Sequence, residues 1–98
     1  ARFDFDDLCN QNLGAEDYLE IIKNCKFITL DNIPQFNDVN SNQQQRFITL
    51  IDVLYDKDIP LAVTAEKNID QFTSSRLLEN PFKRTVSRLY ELTSVEMN

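Results

Sequence analysis

"RFITLIDVLYDKDIPLAVTAE", residues 46–66, carries two hydrophobic periods in succession. In its first part Phe47, Leu50, Ile51 and Leu54 recur at the three- and four-residue spacing of a helix with one buried face. A charged turn, Asp56-Lys57-Asp58, then gives way to "IPLAVTA", a short apolar run that reads as a strand over residues 61–65. A helix leading into an apolar strand is half of a β-α-β unit, so the fold turns on what precedes it.

A second strand does. "KFITLDNIP" holds the β-branched Ile28 and Thr29 and stops at Asp31 and Asn32 before Pro34, which predicts a strand from Phe27 to Leu30 or Asp31. In the polar linker "QFNDVNSNQQQ", Ser41 followed three positions later by Gln44 resembles a capping box, so the helix is expected over 42–55. Farther back, "RFDFDD" alternates Phe3 and Phe5 with Arg2 and Asp4, the period of a strand ending by Asp6. "LGAEDYLEIIKNCK" reads as a helix after Gly14. Glu16 and Asp17 suit its first turn, Lys23 and Lys26 its end, and Tyr18, Leu19, Ile22 and Cys25 face inward.

Beyond residue 65 a short helix is expected near 69–72, followed by "NPFKRTVSRLYELTSVEM". There Phe82, Val86, Leu89 and Leu92 or Thr93 form a helical stripe, with Asn80 as N-cap and Pro81 at the first helical position, although the same letters can alternate as a strand. The whole order predicts an α/β fold. It is a parallel sheet of three or more strands with βαβαβ connectivity and right-handed crossovers, flanked by helices. The strand at 61–65, apolar on both faces, is expected beneath helices on both sides, and residues 1–98 form a single domain.

Composition excludes several kinds of chemistry. A chain of 98 residues buries only about 60–65% of its unfolded surface. With one glycine it cannot build the phosphate loop G-x-x-x-x-G-K-[ST], whose glycines let backbone amides wrap a nucleotide. Ten basic against 16 acidic residues give a net charge of -6, which repels a nucleic-acid backbone. No apolar run approaches the ~20 residues of a membrane span, and no charged-then-apolar leader opens the sequence, so an intracellular protein is expected. Cys9 and Cys25 read as buried thiols. The absence of histidine removes a Ser-His or Cys-His nucleophile, and no metal site is expected.

Ligands of open parallel sheets bind outside the carboxyl ends of the strands, which points to Asp31, Asn32, Thr64, Ala65 and Glu66. An apolar strand ending in Asp, then a helix, then an apolar strand ending in a small hydroxyl residue has the layout of the magnesium-holding and phosphate-sensing strands of a P-loop ATPase. Ordinary solvated strand ends give the same letters. Arg84 and Arg88 lie four apart with Ser87 beside them; they can grip a phosphate or carboxylate, or form a solvated face on which Arg88 pairs with Glu91. Arg46 stands early in a helix, where a positive charge is slightly unfavourable, and so calls for a partner: Asp52, Asp38 or a surface elsewhere in the molecule.

Four stretches, "FDFDDLC", "LGAEDYL", "RFITLIDVLYD" with "PLAVTAE", and "FKRTVSRLYELTS", together resemble the carboxyl-terminal part of the AFG-one-like (ZapE) family of P-loop ATPases. The resemblance covers nearly the whole chain, in order. It implies that the phosphate loop lies upstream, that the full-length parent binds ATP and Mg²⁺, and that this fragment alone binds neither and is inactive. It also implies bacterial cell division in the cytoplasm, with FtsZ or another client as partner, or mitochondrial protein quality control, and it allows an oligomeric parent.

Position by position, Arg46, Phe47, Asp52 and Tyr55 fall on the family's R-F-I-x-L-[IV]-D-x-[LF]-Y motif, and Ala65 on its following small-Ala pair. Arg84, Ser87, Arg88 and Leu89 fall on R-[TC]-x-S-R-L. Candidates for nucleotide sensing or an interface are therefore Arg46, Thr64, Glu66, Arg84, Ser87 and Arg88, with Asp52 and Tyr55 structural and no catalytic residue in the fragment. The sequence departs from the family at Gln45, where many members carry a second arginine, and at "YELTS" in place of x-E-M-x-S. A protein-docking module with no nucleotide role is the competing reading.

Overall fold

In the computed structural model, which describes residues 1–94, the strand β2 (Ile28–Ile33) lies between β1 (Arg2–Asp4) and β3 (Leu61–Ala65). All pairing is parallel. Arg2, Phe3 and Asp4 face Thr29, Leu30 and Asp31, and Ile28, Thr29 and Leu30 face Leu61, Ala62 and Val63. Parallel neighbours need long crossovers, and helices fill them: α1 (Phe5–Cys9) and α2 (Ala15–Ile22) join β1 to β2, and α3 (Ser41–Asp56) joins β2 to β3. A 3-10 turn at Ile69–Gln71 precedes α4 (Glu79–Ser94). The α/β fold with a parallel sheet and flanking helices is as the sequence predicts, and the closing segment is a helix. Residues 95–98, which that expectation also covered, lie outside the described ones.

The helices occupy one layer, because α3 packs against α1, α2 and α4. Alternation along the strands sends Ile28, Leu30 and Leu61 into that layer, where they are buried. The opposite set, Arg2, Asp4, Thr29, Asp31, Ala62 and Thr64, stays partly or fully exposed. The expectation that residues 61–65 lie beneath helices on both sides is thus corrected. Among the described residues β3 stands at one edge of the sheet, and only one of its faces is covered.

The core centres on Phe5, Phe36, Phe47 and Phe82, whose rings meet at centroid distances of 5.4 to 6.4 Å. They come from α1, the loop after β2, α3 and α4, so this cluster ties all four segments together. Truncating the fully buried Phe47 to alanine should cost about 3–5 kcal/mol.

Four local expectations also need correction. β1 stops at Asp4, because the Asp4 carboxylate accepts the Asp6 amide (3.1 Å) and the Asp7 carboxylate accepts the Asp4 amide (3.4 Å); this capping box starts α1 at Phe5. Tyr18 and Ile22 face inward from α2, but Leu19 is 39% exposed and Cys25 lies beyond the helix end at Ile22. Ser41 does not cap α3. Its N-cap is Asn40, and Gln44 turns into the core to accept the Ser75 amide (3.0 Å) and donate to the Ser74 hydroxyl (2.7 Å). Finally, α4 begins at Glu79, so Asn80 and Pro81 sit inside its first turn, where proline is tolerated.

β2 starts at Ile28 and runs to Ile33, past its expected end at Leu30 or Asp31. Asn32 adopts φ 66°, and a register shift between Leu30 and Ile33 bulges the strand there. Asparagine is among the few residues that take this left-handed conformation readily, because its short amide can bond locally.

Candidate functional site

The bulge places a polar network across the carboxyl ends of all three strands. On the open face Arg2 donates to Asp31 from Nε (2.6 Å) and Nη2 (3.3 Å). The Thr64 hydroxyl donates to Asp31 Oδ1 (3.1 Å) and accepts the Asn32 amide (2.9 Å), while the Asn32 side chain donates to Asp4 Oδ1 (2.6 Å). The Arg2 hydrogen bond is the main cause holding the Asp31 carboxyl below its ordinary range; burial opposes it and the Thr64 hydroxyl assists. Asp31, Asn32 and Thr64, singled out by their strand-end positions, are therefore brought together in one hydrogen-bonded group. Arg2 and Asp4 join them from β1, a role that their shared face on an alternating strand would have suggested.

Glu66 stands to one side, accepting the Gln35 amide at 3.4 Å. The Gln35 side chain in turn donates to the Gln71 carbonyl (3.1 Å) and accepts the Thr73 amide (3.1 Å), fixing the segment before α4 to the loop after β2. Nothing in the spacing of these glutamines announced that role.

The motif arginines have separate fates. Arg88 donates to Asp52 Oδ1 across the α3–α4 seam at 2.5 Å and lies over the Tyr55 ring, 4.6 Å from its centroid. Tyr55 donates its hydroxyl to Glu91 (3.2 Å). Arg88 therefore pairs with Asp52 and not with Glu91, because the facing helix offers both a carboxylate and an aromatic face to one guanidinium. Arg46 donates from Nη1 to the Cys9 carbonyl (3.3 Å), placing its charge at the negative end of α1; Asp38 is engaged by Arg76 at 3.4 Å. Arg84 and Ser87 are exposed, and Arg84 has no hydrogen-bond or ion-pair partner among the described residues.

Two further groups are buried side chains of α1 and α2 themselves. Burial pushes the Cys9 thiol up to about 12, and the Tyr18 hydroxyl, which donates to the Leu8 carbonyl at 2.7 Å, is raised by burial too. Both serve packing. Cys25 is half-buried, not fully enclosed.

These residues do not fit a nucleotide by themselves. The chain has no glycine-rich loop, and among the described residues no three His, Cys, Asp or Glu side chains gather in a metal-holding group. No described helix is long and apolar enough to cross a membrane. The strand-end network is a set of mutually satisfied hydrogen bonds, and Arg84 is a charge left free to meet something else.

A family model described as AFG1-like ATPase matches residues 1–98. Lactation elevated protein 1 homolog B of Danio rerio is 37% identical over 71 residues, which is 72% of this chain and 14% of that protein. Cell division protein ZapE of Escherichia coli K12 is 28% identical over 92 residues, 94% of this chain and 24% of ZapE. An uncharacterized protein of Schizosaccharomyces pombe is 31% identical over 71 residues, 72% of this chain and 16% of its own length. The chain thus spans between 14% and 24% of the length of these relatives. No solved structure matches it. The chain belongs to the AFG1-like ATPase family.

Proposed function

We propose that these residues form the carboxyl-terminal portion of an ATP-hydrolysing P-loop ATPase, whose phosphate loop and Mg²⁺-holding carboxylate are supplied by the remainder of the parent. The observation that carries this reading is the family match over all 98 residues. It is supported by the way the two arginine-bearing motifs meet, with Arg88 locked onto Asp52 and Tyr55 while Arg84 stays exposed on the same helix.

In this reading Arg88, Asp52 and Tyr55 orient α4, and Arg84 with Ser87 is offered to a nucleotide or to a neighbouring subunit. An arginine presented to a γ-phosphate stabilises the charge that develops during transfer. Thr64 and Glu66 sit at the strand ends where such a ligand would approach, and Arg46 holds the end of α1 in place. The likeness to ZapE favours a cytoplasmic bacterial setting and a role in cell division, with FtsZ or another client as partner. A mitochondrial member working in protein quality control is the eukaryotic counterpart of the same proposal.

The test is the parent reading frame and its product. The frame should encode G-x-x-x-x-G-K-[ST] on the amino-terminal side of these residues, and the purified parent should bind ATP in the presence of Mg²⁺. A parent with neither loop nor nucleotide affinity would overturn the reading. A protein-docking module remains the second reading, favoured by Val39 and Leu77. These side chains are 95% and 87% exposed on two loops that the Asp38–Arg76 pair ties together.

A further inference from the structure

Gln35 joins the strand ends to the approach of α4. It lies two residues past the end of β2, and its amide donates to Glu66, the residue after β3, whose own amide donates to the Ile33 carbonyl (3.1 Å). Its side chain donates to the Gln71 carbonyl (3.1 Å) and accepts the Thr73 amide (3.1 Å), on either side of Phe72, whose φ of -64° and ψ of 132° are extended. In a parallel ladder one residue donates to a carbonyl and accepts the amide two residues farther along its neighbour. The side-chain amide of Gln35 reproduces that pairing, so one side chain supplies a rung of sheet-like bonding to the segment.

The residues that follow are held in the same manner. The Thr73 hydroxyl donates to the Phe36 carbonyl (2.7 Å), the Ser75 amide to Gln44 Oε1 (3.0 Å) and the Arg76 amide to Asp38 Oδ1 (3.0 Å). Backbone amides taken from water need acceptors, and side chains of residues 35–44 provide them for Thr73, Ser75 and Arg76. Both members of every contact in this clasp belong to the chain itself. α4 begins shortly beyond it at Glu79, with the exposed Arg84 in its second turn, and Arg88 one turn farther on is fixed to Asp52. Arg84 therefore stands between two anchors, the ion pair on one side and the clasp on the other.

We propose that Gln35 is a positioning residue for Arg84: it fixes the approach to α4 against the strand ends, so that the guanidinium meets the charge that develops on a nucleotide phosphate there. The proposal rests on the ATPase reading and deepens it by naming what sets the arginine. Gln35 acts only through α4. A displacement of about 1 Å caused far from the chemistry can cost about a hundredfold in rate, so the loss of such a clasp is readable in turnover. Gln35→Glu is the sharpest probe, because it exchanges the donor facing the Gln71 carbonyl for a second acceptor.

The test is steady-state ATP hydrolysis by the full-length parent as a double-mutant cycle. Gln35→Glu should lower kcat about fivefold and leave KM for ATP unchanged, because the charge that Arg84 meets forms only during transfer. In the Arg84→Ala background the same substitution should have no further effect, whereas a merely structural loss multiplies with that of Arg84→Ala. Should Gln35→Glu fail to fold, Gln35→Met, which keeps the length and removes both bonds, should give the same pattern. In the unsubstituted parent the Thr73 amide should exchange at least about tenfold more slowly than a free amide. Full turnover in Gln35→Glu and Gln35→Met, losses that multiply with Arg84→Ala, or free exchange at Thr73 each overturn the positioning role and leave the ATPase reading standing. Full turnover in Arg84→Ala, or a parent with no turnover, overturns that reading and this proposal together.

Discussion

Arg88 on α4 and Asp52 on α3 form a half-buried ion pair across the helix seam, with the Tyr55 ring beneath the guanidinium. The two residues come from the two motifs that mark the family, so the pair joins the most recognisable parts of the sequence in one contact. Its consequence for α4 is testable. Because both side chains keep some solvent contact, Arg88→Ala should lower stability by only about 1–2 kcal/mol, and a double-mutant cycle with Asp52→Ala should give a coupling of about 1 kcal/mol. Arg88→Lys should lose most of the coupling, because an ammonium cannot both stack on Tyr55 and reach Asp52. Additive single-mutant effects in denaturant unfolding would contradict the pairing.

Gln44 and Ser41 offer a sharper contrast. Gln44 is fully buried and accepts the Ser75 amide, so Gln44→Ala should cost about 1–3 kcal/mol by leaving that donor unsatisfied. Ser41 caps nothing, and Ser41→Ala should change stability by less than about 0.5 kcal/mol. Equal losses from the two substitutions, measured by urea unfolding, would restore the capping box.

The Arg2–Asp31–Thr64 arrangement predicts a pH dependence. Asp31 is held below the ordinary carboxylate value of about 3.9, so the folded state keeps it ionised where the unfolded chain takes up a proton. Its contribution to stability is present above the unfolded value and is lost as pH falls below it. Carboxyl-resolved titration should place the Asp31 midpoint below that of an exposed aspartate, and Arg2→Ala should raise it. A midpoint unmoved by Arg2→Ala would break the account of the network.

Cys9 predicts the opposite direction. Its thiol is raised from 9.0 to about 12, so above pH 9 the unfolded chain ionises while the folded one does not, and stability declines between those values. A thiol reagent at pH 8 should modify the half-buried Cys25 in the native protein and reach Cys9 only on unfolding. Rapid native labelling of Cys9 would contradict its burial.

Much of the fold was legible because α3 and β3 carry long, unmixed periods: Phe47, Leu50, Ile51 and Leu54 on one helix face, then Leu61 to Ala65 without a polar break before Thr64. What misled was local spacing whose partners lay elsewhere. Phe3 and Phe5 alternate like a strand, yet Asp4 between them caps a helix, so one period spans a joint. Ser41 and Gln44 have capping-box spacing, but Ser75 claims Gln44 from 31 residues away. Arg88 and Glu91 are neighbours on one helix, but Asp52 and Tyr55 on the facing helix outcompete that neighbour. Arg46 found a carbonyl and not a carboxylate, which charge patterning cannot foresee. The open face of β3 was hidden because an apolar strand reads alike whether one face or two are covered.

Steady-state ATP hydrolysis by the full-length parent, with Mg²⁺, tests the central proposal most directly. The account predicts measurable turnover by the parent, none by residues 1–98 alone, and a loss of about tenfold or more in Arg84→Ala at unchanged thermal stability. A parent that hydrolyses no ATP would contradict the ATPase reading, and full turnover in Arg84→Ala would remove Arg84 from the nucleotide site.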